Sequence, residues 1–381
     1  MKKIILLLVF AYNFNGYSQV IKDSVLYKKQ NLFRELSISL PPSYNKETKK
    51  TYPLLFLLDG DYLFDPFHGA LCYGYYWDTL PEVIIVGLKQ SGKRSADCAI
   101  DAASGLPDEA GDEFYNFISN DLLNYVQNKY RISPFKIIAG HDITAGFENF
   151  YLYQENSKFN AFISLSPELS LDMVTEIPEG LTTFKGNVFY YLSSSDGDVK
   201  KLKEKISALD TNIKAVANPN LNYKYDDFIN ASHYSLVLYS IPSALNQIFA
   251  SYLPITSSEF DEKIMKLDSG YVAYLTNKYD NLENALKIKM NIRVNDLGWI
   301  EAAIMKNKAY AELEQLAQLS RKMYPKAMLG DYQMALYYEA TGDIKNAAKY
   351  YLSAFQLQEI SGLTKDMMLE KATELKAQIK K

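Results

Sequence analysis

Apolar residues follow two rhythms along the first two thirds of the chain. Glu35–Leu40 alternates polar and apolar positions and stops at Pro41-Pro42, which predicts a half-buried strand and then a turn. Leu54–Leu58 (LLFLL) is an unbroken apolar run closed by Asp59-Gly60, as expected of a strand buried on both faces. VIIVGL, from Val83, repeats that pattern, and further strands are expected at Phe135–Ala139, Ala161–Leu165 and Val188–Leu192. Phe114, Phe117, Ile118, Leu122, Tyr125 and Val126 recur at helical spacing. Pro242, near the start of SIPSALNQIF, suits the first turn of another helix. Buried strands alternating with helices imply an α/β domain, a mostly parallel sheet covered on both faces.

Past Leu253 the rhythm changes. PITSSEFDEK reads as a short polar linker, and the rest is helical almost to the end. Ala335–Gln358 (ALYYEATGDIKNAAKYYLSAFQLQ) resembles a tetratricopeptide repeat. Tyr338, Gly342-Asp343, Ala347, Tyr351 and Ala354 stand at its aromatic, turn and small packing positions. Lys306–Pro325 looks like a degenerate copy. One or two such repeats fall short of the three that an independent solenoid needs, so a helical packing cap is expected over a free peptide-binding groove. The chain is therefore read as a leader (1–18), an α/β domain (19–253) and an all-α, TPR-like region (254–381).

The leader reading rests on MKKIILLLVFAYNFNGYSQV. Lys2 and Lys3 precede the apolar stretch Ile4–Tyr12, and Gly16 and Ser18 are the small residues before a cut at Gln19. The apolar stretch is far short of the ~20 residues that span a bilayer. Export to the periplasm or beyond the cell is expected, with no transmembrane segment after cleavage. Removing residues 1–18 leaves 39 basic and 45 acidic residues, net −6, with no basic block suited to nucleic acid. Two cysteines, Cys72 and Cys98, and three histidines form no metal-ligand cluster, and no cofactor is implied. The two cysteines are read either as a pair or as ordinary buried thiols. Tyr73, Tyr75, Tyr76 and Trp77 fit a helix face against the sheet better than a pocket wall.

Ile137–Phe150 (IIAGHDITAGFENF) holds the candidate chemistry. It reads as strand, sharp turn and helix, and its centre, Gly140-His141-Asp142-Ile143-Thr144-Ala145-Gly146, approximates the Gly-x-nucleophile-x-Gly elbow of α/β hydrolases. The first glycine is present, Thr144 holds the place of the second, and Asp142 stands where the nucleophile would be. By residue type alone Asp142 is also a good helix N-cap.

The flanking segments extend the likeness. LSISLPPSYNKETKKTYPLLFLLDG, LPEVIIVGL, IIAGHDITAG, FNAFISLSPEL and NASHYSLVLYSIPSALNQIF resemble, in order, segments of the putative esterase family, which includes enterochelin, esterase D and feruloyl esterases. The resemblance covers roughly residues 30–250 and implies an α/β-hydrolase fold whose ancestral reaction is carboxylic ester hydrolysis. It implies that His233 is the catalytic histidine and that Asp196 or Asp198, in SSSDGD, is its acid. It further implies oxyanion N–H groups from the Gly60-Asp61 loop and from Ile143. The family's serine is replaced by Asp142. Its Asn or Asp with Arg after the second core strand is weakened here to Lys89 and Gln90, with Arg94 further on.

That replacement matters chemically. A carboxylate attacking an ester forms a mixed anhydride, and the carboxylate then leaves more readily than the substrate's alkoxide. A fixed anion also opposes charge developing in an oxyanion hole. Three functions follow: a binding protein for a small-molecule or carbohydrate ester-like ligand with catalysis lost or weakened; a hydrolase using Asp142 with His233; or an interaction protein that meets a protein partner through its C-terminal helices. The hydrolase would activate water directly or open an epoxide, since GHD also looks like the elbow of epoxide hydrolases.

Overall fold

A computed structural model describes residues 20–154 and 156–379. The predicted leader lies outside the described residues. The chain divides into two compact units. The first is the chain to Tyr76 with Pro81–Ile248, and the second is Trp77–Leu80 with Phe249–Lys381.

The first unit is built on eight strands: β1 Val20–Tyr27, β2 Leu32–Ser39, β3 Tyr52–Leu57, β4 Ile84–Leu88, β5 Ile132–His141, β6 Ala161–Leu165, β7 Val188–Gly197 and β8 Leu221–Ser232. They form one sheet in the order β1-β2-β4-β3-β5-β6-β7-β8. The β1–β2 and β2–β4 pairs are antiparallel and all others parallel. Every residue of β3, β4 and β6 is buried, as unbroken apolar runs require. Helices Phe64–Tyr76, Met173–Thr183, Lys200–Lys214 and Leu236–Ile248 accompany the sheet. The helical run over 109–129 buries Phe114, Phe117, Ile118, Leu122 and Val126, as its periodicity predicts, with a π-helical stretch at Phe117–Leu122.

Several expectations are corrected. β2 is buried more deeply than alternation suggests, because Ser37 and Ser39 lie inside as well as Leu36 and Ile38. Pro242 sits inside the helix Leu236–Ile248 and not in its first turn. It withholds a donor from the carbonyl of Leu238, an exposed residue, where the loss costs least. Most of the aromatic cluster faces outward: Tyr73, Tyr76 and Trp77 are exposed, Tyr75 is part-buried with its hydroxyl bonded to the Val83 backbone, and the helix Phe64–Tyr76 buries Phe64, Phe67, Leu71 and Gly74. Cys72 and Cys98 are both free.

The second unit is helical. The supposed linker belongs to it: Ile255, Phe260 and Ile264 are buried, and Thr256 caps the helix Ser257–Glu262. Asp78 joins this unit through Arg293 (Nε to Oδ2, 2.8 Å) and Tyr252 (OH to Oδ1, 2.7 Å). Helices Leu329–Ala340, Ile344–Phe355 and Lys365–Ile379 share a small core of Ala347, Tyr351, Ala354, Met368 and Leu375. No described helix is long and apolar enough to cross a membrane.

Candidate active site

The parallel strands deliver the site residues at their C-terminal ends, where α/β sheets place ligands. β5 ends at His141 and the helix Ile143–Glu148 begins two residues later, leaving Asp142 alone at the turn. Its backbone is held at φ 61°, ψ −119°, a conformation that costs a non-glycine residue about 1–3 kcal/mol. Two glycines make the turn possible. A Cβ on Gly140 would stand 2.6 Å from the Ala145 nitrogen, and one on Gly146 would stand 2.0 Å from the Glu168 carbonyl oxygen. Thr144 fits because its hydroxyl turns inward to Asp59 Oδ2 at 2.7 Å.

Asp142 makes no side-chain cap bond, so the helix-cap reading is wrong. Its Oδ2 accepts from Arg94 Nη1 at 3.2 Å. Arg94 also donates from Nε to Asp59 Oδ1 (2.8 Å) and from Nη2 to the His141 carbonyl (2.6 Å). It rides on the short helix Arg94–Asp97, which Asp97 ties to the buried Arg34. Burial alone would lower the Arg94 pKa, but its bonds to Asp59 and Asp142 raise it, so the guanidinium stays charged.

His233 follows β8 and Asp198 follows β7. His233 Nδ1 and Asp198 Oδ1 are 2.7 Å apart, and the Asp198 side chain is fully buried. Asp198 Oδ1 also accepts from the Val199 N–H, and Oδ2 from the Ser166 hydroxyl at 2.6 Å. Burial works against the Asp198 charge, but these donors prevail and hold its pKa below the usual range. The Asp198 bond raises the pKa of His233 above 6.5 in spite of burial. His233 Nε2 points to the elbow and stands 4.0 Å from Asp142 Oδ1.

A second histidine buttresses the first. The rings of His141 and His233 are 4.6 Å apart, and His141 Nε2 donates to the His233 carbonyl at 3.0 Å. Burial, then the nearness of His233, lowers the pKa of His141. A cavity of about 320 Å³ opens beside the elbow, lined in part by Cys98, Ile100, Ile143, Glu168, Leu169 and Leu171.

Residues 31–190 match the family described as "Putative esterase". The match spans less than half of the chain and marks that segment as similar to the putative esterase family. A crystal structure of an uncharacterised protein from Capnocytophaga ochracea DSM 7271 is similar over 94% of this chain and 100% of that one, at 27% identity and TM-score 0.86. An IroE-like serine hydrolase from Shewanella oneidensis shares the fold over 80% of this chain and 99% of its own, at 17% identity and TM-score 0.59. The BES protein from Bacillus cereus shares it over 64% and 98%, at 18% identity and TM-score 0.51. No curated protein matched the sequence.

Within this fold, Asp142, His233 and Asp198 come together and Asp196 does not. Asp196 accepts from the Asn230 N–H at the surface. Gly60 cannot lend an oxyanion N–H, because it donates to the Leu88 carbonyl at 2.8 Å. The Asp61 carboxylate is spent on the Gln90 and Ser91 N–H groups. The first bond of the elbow helix runs from the Gly146 N–H to the Asp142 carbonyl, so the Ile143 N–H lies ahead of the helical ladder and next to the cavity. Arg94, Ser166 and Tyr62, whose hydroxyl lies 2.9 Å from Asp59 Oδ2 and 3.0 Å from His141 Nδ1, have no role assigned from the sequence. For Arg94 a signal existed, an arginine soon after β4.

Proposed function

We propose that this exported member of the esterase family binds a compact ester-like ligand, a small molecule or carbohydrate, without forming the serine-type acyl-enzyme. The observation that carries this reading is the pairing of the elbow residue Asp142 with Arg94. An ion-paired carboxylate at the nucleophile's position is a poor nucleophile toward an ester, and its charge repels a developing oxyanion. The adjoining cavity of about 320 Å³ is roughly twice the ~150 Å³ that holds one benzene ring, room for a small acyl or aryl group. The leader-like sequence of residues 1–18 supports export.

The test is Asp142→Ser in the mature chain, assayed with short aryl esters and acetylated or feruloylated sugars. The variant is expected to hydrolyse at least one of them ~100-fold or more faster than the natural chain. Efficient turnover by the natural chain, abolished in both Asp142→Ala and His233→Ala, would overturn the reading.

A second reading has one observation in its favour. His233 Nε2 and Asp142 Oδ1 stand 4.0 Å apart, a spacing that lets one water bond to both, and Asp198 already orients the histidine. The pair would then activate that water for direct hydrolysis. The natural chain's turnover would rise with pH as His233 loses its proton, without burst kinetics.

A further inference from the structure

Ser166 is the residue after β6, outside the elbow and distinct from Asp142, His233 and Asp198. It is fully buried and its φ is 43°, a left-handed conformation that glycine adopts freely and serine does not. Its N–H donates to the Ser193 carbonyl at 2.9 Å. Its hydroxyl lies 2.6 Å from Asp198 Oδ2 and 3.2 Å from His233 Nδ1.

We infer that Ser166 is a positioning residue, whose hydroxyl locks Asp198 in the orientation that keeps the His233 proton on Nδ1 and leaves Nε2 free to act at Asp142. The proton count requires this arrangement. Serine has one hydroxyl proton, and the carboxylate at 2.6 Å is the stronger and closer acceptor. The oxygen therefore turns a lone pair to His233 Nδ1, so the Nδ1 proton meets Asp198 Oδ1 as its main acceptor and Ser166 Oγ as a weaker second one. The Val199 N–H occupies Oδ1, so among the described residues Ser166 supplies the hydrogen bond to Oδ2. Without it, one carboxylate oxygen is left buried and unpaired, which costs about 1–3 kcal/mol and frees the carboxylate to rotate. The chain carries a backbone strain at this residue that glycine would remove.

Glycine thus separates the two roles the residue could have. The inference rests on the reading that His233 and Asp198 form an assembled dyad, so its readout is chosen to be independent of turnover. In the natural chain, carboxyl-carbon NMR of Asp198 should show its pKa rise by about one pH unit in both Ser166→Gly and Ser166→Ala, through loss of a donor to the anion. Thermal stability at neutral pH should be higher in the glycine variant than in the alanine variant. In an Asp142→Ser background, Ser166→Gly should lower kcat about tenfold and leave KM within about twofold. An unshifted Asp198 in both variants overturns the inference, since the hydroxyl would then only fill space. A shifted Asp198 in an inert Asp142→Ser chain sustains it and counts against the proposed function instead. If the glycine variant fails to fold, the alanine variant alone decides by the same titration.

Discussion

Arg94 and Asp142 are 48 residues apart in sequence and form an ion pair at 3.2 Å, with the guanidinium's other nitrogens on Asp59 and the His141 carbonyl. Three acceptors at three nitrogens make this a site for a planar fork and not for a point charge. Arg94→Lys should therefore behave as a loss, not as a conservative change. The expected cost is about 1–3 kcal/mol in denaturant unfolding, since Asp59 is buried and loses its partner. Recovery of full stability in the lysine variant would show that charge alone is needed.

The three histidines should titrate apart. His233 is raised above 6.5 by Asp198, whereas burial lowers both His68 and His141. Imidazole NMR should find a single histidine above 6.5, and Asp198→Asn should bring it down by about 1 pH unit or more. The stability that His233 contributes is complete below its unfolded value of about 6.5 and disappears as pH rises through its folded pKa. His233→Gln should remove that part of the pH dependence. Two or three histidines titrating above 6.5 would contradict the arrangement.

Glu148 lies at the end of the elbow helix, fully buried, with neither carboxyl oxygen hydrogen-bonded among the described residues. Burial raises its pKa well above the usual value, so it is held as the neutral acid. Its contribution to stability is greatest below the unfolded value of 4.5 and falls as pH rises toward the folded pKa. Glu148→Gln should remove a slope of roughly 1.4 kcal/mol per pH unit in that window. The variant should therefore gain on the natural chain as pH rises from 5 to 8. Parallel curves would mean that the carboxyl ionises in the folded state.

Gly146 has no room for a side chain. Its Cβ would lie 2.0 Å from the Glu168 carbonyl oxygen, a backbone atom that cannot swing aside. Gly146→Ala should cost about 2 kcal/mol or more. It should also disturb the bond from the Glu168 N–H to the Asp142 carbonyl, and with it the elbow. Near-native thermal stability would show that the elbow and the loop after β6 separate easily.

The central strands were legible because burial on both faces leaves an unbroken apolar run, as in β3, β4 and β6. β8 was not, because LNYKYDDFINAS mixes charge with aromatics on an edge strand whose residues are mostly part-exposed. Pro242 was misplaced because a proline in an apolar helix reads as a start. Asp142 and His233 stand out through their sequence contexts, and the fold puts Asp198, not Asp196, beside His233. Ser166 carries no local signature, and the place of Arg94 after β4 does not name its acceptors: the partners of both come from other segments, and only the folded sheet brings them together.

Cys72 and Cys98 are the chain's two cysteines, and neither is cross-linked. Nothing in the described fold waits for an oxidant. Denatured chains should regain the native state as completely with a reductant present as without one. The sheet and its site then depend on packing, hydrogen bonds and ion pairs, and can form in reducing and in oxidising surroundings alike.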